Sequence, residues 1–460
     1  MAFSEKGVNP SFLQRRSRRL FNVLDYNWII FPLTFTALLY ALYQLTVYTG
    51  LQQRIVDRNA LWTVDCLILS IPFLPLVLTQ RPPYAALWGL LLPARPFAYA
   101  RSPKRRSFRS IRICLVTKGT NFQTVINSTA SWHNLRHYPQ LIFDVLVDAP
   151  ETDRFRKALP HFINVYRVPD AKSFQANFAR HKARALEWYR IQCQLTAEDW
   201  VLHLDEETEL DDFAIQTCID FIERGSEDIG MGTIFYNGRN HWQNTLMTVA
   251  EISRISEDWG RFQLPMRVSH RPLLGWMKGS WNIINGAVEN NVTWDTNCAA
   301  EDFWFAFNAT RLGYKFGWIH AIAREQPPET VNDFIRQRRR WYTGIWSIDS
   351  FSVKMGLLLA LLVPLWVLIY PIVALVRGGS ISVPYWFFLW LLFSHAADIH
   401  GLIVACLMED MDTPGIGVVS MLWHLLLSVV LSPITNLLQT GAMISVLIAP
   451  APGFYIINKA

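Results

Sequence analysis

The six cysteines, Cys66, Cys114, Cys193, Cys218, Cys298 and Cys406, are scattered and never form a C-x-x-C pair. That spacing supports neither a zinc site nor a disulfide framework, and free buried thiols fit a reducing, cytosolic setting for the middle of the chain. Charge is scarce too. Asp, Glu, Lys and Arg make up 17% of the 460 residues against 51% hydrophobic ones, which is lean for a wholly soluble protein. Internal repeats and low-complexity tracts are absent, which excludes a repeat architecture. There is no nucleic-acid module, and the basic residues lie beside apolar segments rather than along an aromatic-studded sheet, so no nucleic acid is expected as a partner. The net charge of +6 fits work near anionic headgroups or phosphates instead.

Long apolar runs are present, and they gather at the two ends. Residues 1–27 form a basic N-terminus with Arg15, Arg16, Arg18 and Arg19. Trp28 to Thr49 then runs without a charged residue. It is long enough to span a bilayer, too long for a signal-peptide core, and has no obvious cleavage site, so it reads as a signal anchor. Leu61 to Thr79, carrying Asp65, is expected to be a second span, giving two transmembrane helices over 28–79. A Pro-rich piece, Pro82 to Pro96, and a basic cluster from Arg101 to Arg112 make 80–110 an interfacial, basic linker. Basic flanks before the first span and after the second predict a cytosolic middle. Further spans are expected at Met355–Val376, Tyr385–Leu407 and Gly415–Leu431. A short apolar segment, Ile434–Ile448, completes a C-terminal transmembrane bundle over 355–450, before a tail at 451–460. Within it His395, Asp398 and His400 are costly in lipid, and predict an interhelical polar cluster or a headgroup contact rather than a proton path.

Between the ends, residues 111–328 read as an α/β domain. Strand-like runs occur at Ile111–Thr117, Leu141–Val147, His161–Val168, Ile229–Tyr236 and Ser280–Val288, and Ser173–Gln192 has helical periodicity. Met247–Arg267 mixes aromatic, apolar and charged residues, and predicts an interfacial helix or an acceptor-side loop. The stretch WVLHLDEET, Trp200–Thr208, is a buried-strand pattern running into three carboxylates. Alternation along a strand would turn Asp205 and Glu207 one way and Glu206 the other. Two carboxylates on one side suit a hard divalent cation that is itself holding phosphates. Alone, the triplet would more often be a solvated turn. Two later motifs strengthen it. Glu301–Asp302 opens a helical stretch, where acidic residues also serve simply to complement the helix dipole. Gln337, Arg340 and Trp341, in QRRRW, share one helix face within a 329–354 interfacial region. Arginine forks match diphosphate oxygens and an indole can pack on a sugar; the bland alternative is a basic helix lying on anionic lipid.

In their order, LDEET, AED and QRRRW inside a transmembrane frame resemble the inverting family 2 glycosyltransferases. The VTKGT, LDEET, GSWNIINGA and AEDFWF stretches are similar to the invertebrate β-1,4-mannosyltransferases within that family. The resemblance implies a GT-A type, Rossmann-like open sheet flanked by transmembrane and interfacial helices. It further implies transfer of mannose from GDP-mannose to glucosylceramide, dependent on Mn2+ or Mg2+, in the endoplasmic reticulum or Golgi membrane with the catalytic domain facing the cytosol. Position by position, Asp148 would read the nucleotide base, Thr117 would lie where the first strand meets the nucleotide, and Lys182 would be a basic residue near the donor. Asp205 and Glu207 would be the D-x-D metal pair; the second member is Glu here, which leaves Glu206 open as a ligand. Asp302 would be the general base, with Glu301 shaping the site. Gln337, Arg340 and Trp341 would hold the leaving diphosphate and the acceptor. A processive polysaccharide synthase, and a transporter or scaffold built around His395, Asp398 and His400, are the competing readings.

Overall fold

The computed structural model describes residues 27–70, 106–362, 366–379 and 381–450. A seven-stranded sheet organises the middle of the chain: β1 (Ser110–Thr117), β2 (Leu141–Asp148), β3 (Ile163–Val168), β4 (Asp199–Leu204), β5 (Ile229–Phe235), β6 (Asn282–Asn285) and β7 (Phe316–Arg324). Their order across the sheet is β3-β2-β1-β4-β6-β5-β7. Only β6 runs against its neighbours, so six strands end on one rim. All six residues of β4 are buried, as expected of a strand covered on both faces. His203 within it is buried, its Nε2 2.5 Å from Glu289 Oε1.

Two expected elements come out shorter. Ser280–Val288 is a strand only over Asn282–Asn285. Asn285 then caps a short helix, Gly286–Val292, by accepting from the Ala287 amide at 3.1 Å. The expected helix from Ser173 begins only at His181, because the amides of Phe178 and Ala179 are taken by Asp295 Oδ1 rather than by a helical turn.

The helices used below are α1 (Asn27–Tyr48), α2 (His181–Cys193), α3 (Asp212–Arg224), α4 (Thr245–Glu257), α5 (Glu301–Arg311), α6 (Val331–Trp346), α7 (Phe351–Leu362), α8 (Trp366–Val376), α9 (Tyr385–Asp412) and α10 (Val418–Ile448). Among the described residues three, Ile29–Tyr48, Tyr385–Asp412 and Val418–Ile448, are long and apolar enough to cross a membrane. The expected span Met355–Val376 falls on α7 and α8, and residues 363–365 between them lie outside the described residues. The expected break between Gly415–Leu431 and Ile434–Ile448 does not occur. Helix α10 runs through Pro433 for 31 residues, about 46 Å. Proline removes the amide that would bond Val429 O, and Ser432 Oγ donates to that carbonyl at 3.2 Å instead. Residues 1–26, the second-span residues from 71 onward, the Pro-rich piece, Arg101, Lys104, Arg105 and the tail lie outside the described residues.

The domain is fastened to the apolar helices. Helix α4 packs on α9 and α10, and α6 packs along α10. At the end of α9, Asp412 takes Arg324 in a two-pronged pair, Nε–Oδ2 2.7 Å and Nη2–Oδ1 2.8 Å, and Asp211 holds the same guanidinium at 3.2 Å. Glu409 accepts the Tyr236 amide, and Asp410 accepts the Trp242 indole N–H at 2.9 Å and meets His424 Nδ1 at 2.8 Å. Higher in α9, His400 Nε2 lies 2.9 Å from Thr34 Oγ1 of α1, an interhelical polar contact at one of the three ionisable residues there, while His395 Nδ1 lies 2.7 Å from Leu391 O of its own helix.

Candidate active site

The rim where the six strands end is occupied by one cavity of about 620 Å³. An open α/β sheet leaves a crevice where strand order reverses, and here that point lies between β1 and β4. Every site residue expected from the sequence lines the cavity: Thr117, Asp148, Lys182, Asp205, Glu207, Glu301, Asp302, Gln337, Arg340 and Trp341.

At the β1–β2 side the turn after β1 needs Gly119. Its φ is +97°, and an added Cβ would run into Glu151. Thr117 Oγ1 accepts the Gly119 amide at 2.9 Å and donates to Glu206 Oε1 at 2.6 Å, while Asn121 Nδ2 donates to Glu206 Oε2. Glu206 therefore faces the cavity beside Asp205 and Glu207, and is not turned away from them. Strand alternation stops with β4 at Leu204, and the turn that follows is closed by the Thr208 amide on Asp205 O at 3.2 Å. Asp148 sits 3.4 Å from Arg184 Nη2; burial pushes its carboxyl upward, against the pull of that arginine.

In the centre, Lys182 Nζ donates to Asp205 Oδ1 at 2.5 Å and to Gly279 O at 3.0 Å, and lies 3.7 Å from Glu301 Oε1. Burial opposes the ammonium charge, but Asp205 and Glu301 outweigh it and hold the lysine pKa above its usual value. Gly279 permits close approach, since a Cβ there would sit 3.2 Å from Asp302 Oδ2 and 3.4 Å from Lys182 Nζ. Asp302 keeps some accessible surface, which faces the cavity. Desolvation, then the neighbouring Glu301 charge, raises its pKa to about 7. The helix-start dipole, expected to favour the carboxylate, is overridden by burial.

On the far side α6 meets cavity-lining groups from α4 and the segment after it, which carry no motif in the sequence. Glu251 accepts from Arg254 at 2.5 Å and from Arg338 at 2.6 Å, joining α4 to α6. Arg338 also donates to Gln337 Oε1 at 2.6 Å. Both guanidinium groups lie over the Trp341 ring, at 4.9 and 4.3 Å, so that ring packs on arginines here. Arg339 turns elsewhere and donates to Ala449 O at 3.0 Å. Lys278 donates to Asp258 Oδ2; burial raises the Asp258 pKa and lowers that of Lys278, moving both toward neutrality. Met247–Arg267 is helical rather than a loop, and Glu251, Arg254, Asp258 and Arg261 from it line the cavity. These residues escaped sequence reasoning because tertiary packing alone assembles them. Glu206 and Asn121 had a better signal, a carboxylate and an amide next to the two strand ends that flank the crevice.

Among the described residues no group of three or more His, Cys, Asp and Glu side chains is arranged to hold a metal ion. Two carboxylate side chains, Asp205 and Glu207, are what a hard cation sharing its remaining sites with phosphate oxygens and water requires, so the residues fit such an ion.

Residues 200–398 match the family model described as glycosyl transferase family group 2. The match takes in the acidic turn, Glu301–Asp302 and α6. This chain is 36% identical over 198 residues to a β-1,4-mannosyltransferase, egh, of Drosophila melanogaster, covering 41% of this chain and 43% of that one. It is 30% identical over 310 residues to the β-1,4-mannosyltransferase bre-3 of Caenorhabditis elegans, covering 64% of each. It thus spans less than two thirds of the length of these relatives. A mannosyltransferase of Pyrobaculum calidifontis, solved with GDP-mannose and Mn2+, superposes with a TM-score of 0.45 at 11% identity, over 84% of this chain and 96% of that one.

The acidic turn separates two roles by experiment. Glu207→Ala is expected to weaken nucleotide-sugar binding in Mn2+ and to change little in chelator. Glu206→Ala removes the acceptor for Thr117 and Asn121, so binding should weaken in both conditions, by roughly 10- to 150-fold for a lost hydrogen bond to a charged group. Calorimetric titration with and without metal checks this; a Glu206→Ala defect confined to metal would make Glu206 the ligand.

Proposed function

We propose that the protein transfers mannose from GDP-mannose to the glucose of glucosylceramide, forming a β-1,4 linkage with inversion. The observation that carries the lipid acceptor is the wall of the cavity: Gln439, from the membrane-length helix α10, lines the same space as Asp302. A ceramide can stay in the bilayer beside α10 while its sugar enters the cavity. The names of the relatives support mannose and the β-1,4 linkage.

In this reading Thr117 and Asp148 bind the nucleotide, with Arg184 orienting Asp148. A divalent ion, Mn2+ or Mg2+, would be held by Asp205 and Glu207 and would supply positive charge to the diphosphate. Lys182 fixes Asp205 and Glu301 relative to each other. Arg340, on the cavity face of α6, offers a fork to the leaving diphosphate, and Gln337 positions the adjacent Arg338. Asp302 takes the proton of the acceptor hydroxyl as that oxygen bonds to the anomeric carbon, and the bond to the diphosphate breaks on the opposite face. One displacement converts an α-linked donor into a β product. Residues 111–328 form the catalytic domain, and the basic residues before the first expected span and after the second support its facing the cytosol in the endoplasmic reticulum or Golgi.

Membranes containing the protein, incubated with labelled GDP-mannose and then extracted, should yield label in a short glycolipid that requires glucosylceramide. Label in insoluble polymer would replace this reading with a polysaccharide synthase. Label from UDP-glucose or UDP-GlcNAc but not GDP-mannose would overturn the donor, and no transfer from any of the three would overturn the enzyme reading.

A further inference from the structure

Three side chains at the far end of the cavity have polar atoms without a hydrogen-bond partner although almost no surface is exposed. They are Tyr236 Oη, Asp258 Oδ1 and Gln326 Oε1, on residues 2%, 0% and 6% exposed. A buried polar atom left unpaired is costly, so a group from outside the chain is expected to meet it. Their fixed partners make them rigid. Asp258 is held through its other oxygen by Lys278 and by the Ile234 amide at 3.2 Å. The Tyr236 ring lies under Arg254 at 4.5 Å, and its amide is tied to Glu409. Gln326 packs its stem against Gly238, where a Cβ would come within 2.8 Å of it.

Their place in the sheet separates them from the nucleotide end. Tyr236 and Gln326 follow β5 and β7, whereas Thr117 and Asp148 end β1 and β2. From β1 to β5 the order crosses β4 and β6, three strand spacings or about 14 Å. Asp302 lies between, next to Gly279 and so one residue from Lys278. A group bound at this end is on the opposite side of Asp302 from the nucleotide, where an attacking hydroxyl must come from. One hydroxyl donor and two carbonyl-type acceptors, with an ammonium beside them, match a neutral polyol, whose hydroxyls both donate and accept.

Resting on the proposed transfer to a sugar-headed lipid, we infer that Tyr236, Asp258 and Gln326 form the subsite that grips the acceptor hexose and selects which of its hydroxyls faces Asp302. They are positioning residues, and none takes part in bond making.

The test pairs side-chain removal with hydroxyl removal. Octyl β-glucoside and its monodeoxy derivatives serve as acceptors for the full-length protein and for Tyr236→Phe and Gln326→Met. Tyr236→Phe is expected to raise the acceptor KM about 5- to 100-fold while the GDP-mannose KM stays near wild type. For one deoxy acceptor that penalty should vanish, because the missing hydroxyl was the phenol's partner. Gln326→Met should lose its penalty against a different deoxy acceptor. Equal penalties for every acceptor would overturn the subsite and assign the atoms to bound water. So would a rise in donor KM matching the rise in acceptor KM. Failure of the wild-type protein to use any glucoside or glucosylceramide is a different result, one that overturns the proposed function itself.

Discussion

Asp302→Asn is expected to lower transfer roughly 10²- to 10⁴-fold, with GDP-mannose affinity little changed. The substitution keeps the size of the side chain and an oxygen able to accept from the Phe303 amide, now 2.8 Å from Oδ1, so helix α5 should start where it does. What disappears is the proton acceptor. The same residue should set the pH profile. A carboxyl with its pKa raised to about 7 is protonated below that pH and cannot act as a base, so turnover should fall as pH drops through about 7. Glu301→Gln removes a neighbouring negative charge that helps to raise Asp302, so its acid limb should move to lower pH. Single-turnover rates against pH, with donor binding measured in parallel, decide the matter. Near-wild-type transfer by Asp302→Asn, or an acid limb that ignores Glu301, would take the base role from Asp302.

Asp412→Ala should destabilise the folded protein by about 3–5 kcal/mol, the range for breaking a buried ion pair from one side. Arg324 would lose both prongs to α9 and keep Asp211 at 3.2 Å. Asn237, which donates to Asp412 Oδ2 at 2.8 Å, would lose its partner too. In detergent this corresponds to a fall in thermal midpoint on the order of 10 °C. Asp412→Asn retains one acceptor oxygen and should lose less. A melting curve for Asp412→Ala indistinguishable from wild type would mean that the domain is fastened to the apolar helices elsewhere.

What could be read from the sequence was local. Strand ends carry their pattern in five or six residues, and Asp205, Glu301–Asp302 and the α6 face each announce themselves by spacing. Inference failed where a local rule met an unseen neighbour. Alternation along β4 turned Glu206 away, but the strand had already ended and Thr117 and Asn121 claimed the carboxylate. Pro433 read as a break, but Ser432 supplies the donor that proline lacks. The dipole of α5 argued for an ionised Asp302, but desolvation is the larger effect. Nothing local marks Tyr236, Asp258, Lys278 or Gln326, since they come from four segments that meet only when the sheet has formed.

Direction of travel along a strand decides which loops face each other. β6 enters the sheet from the rim where its neighbours leave it, so the residues just before it, Lys278 to Ser280, arrive beside the residues just after β4 and β5. Ser280 Oγ accordingly meets the Asp205 amide at 3.2 Å and Thr208 Oγ1 at 2.7 Å. Had this four-residue strand run with the others, the same segment would emerge on the opposite edge, about 13 Å away, and Asp302 would face open solvent where Gly279 now stands. One reversed strand thus acts as a threading device, sewing a late loop into a crevice that an all-parallel sheet would leave open along one side.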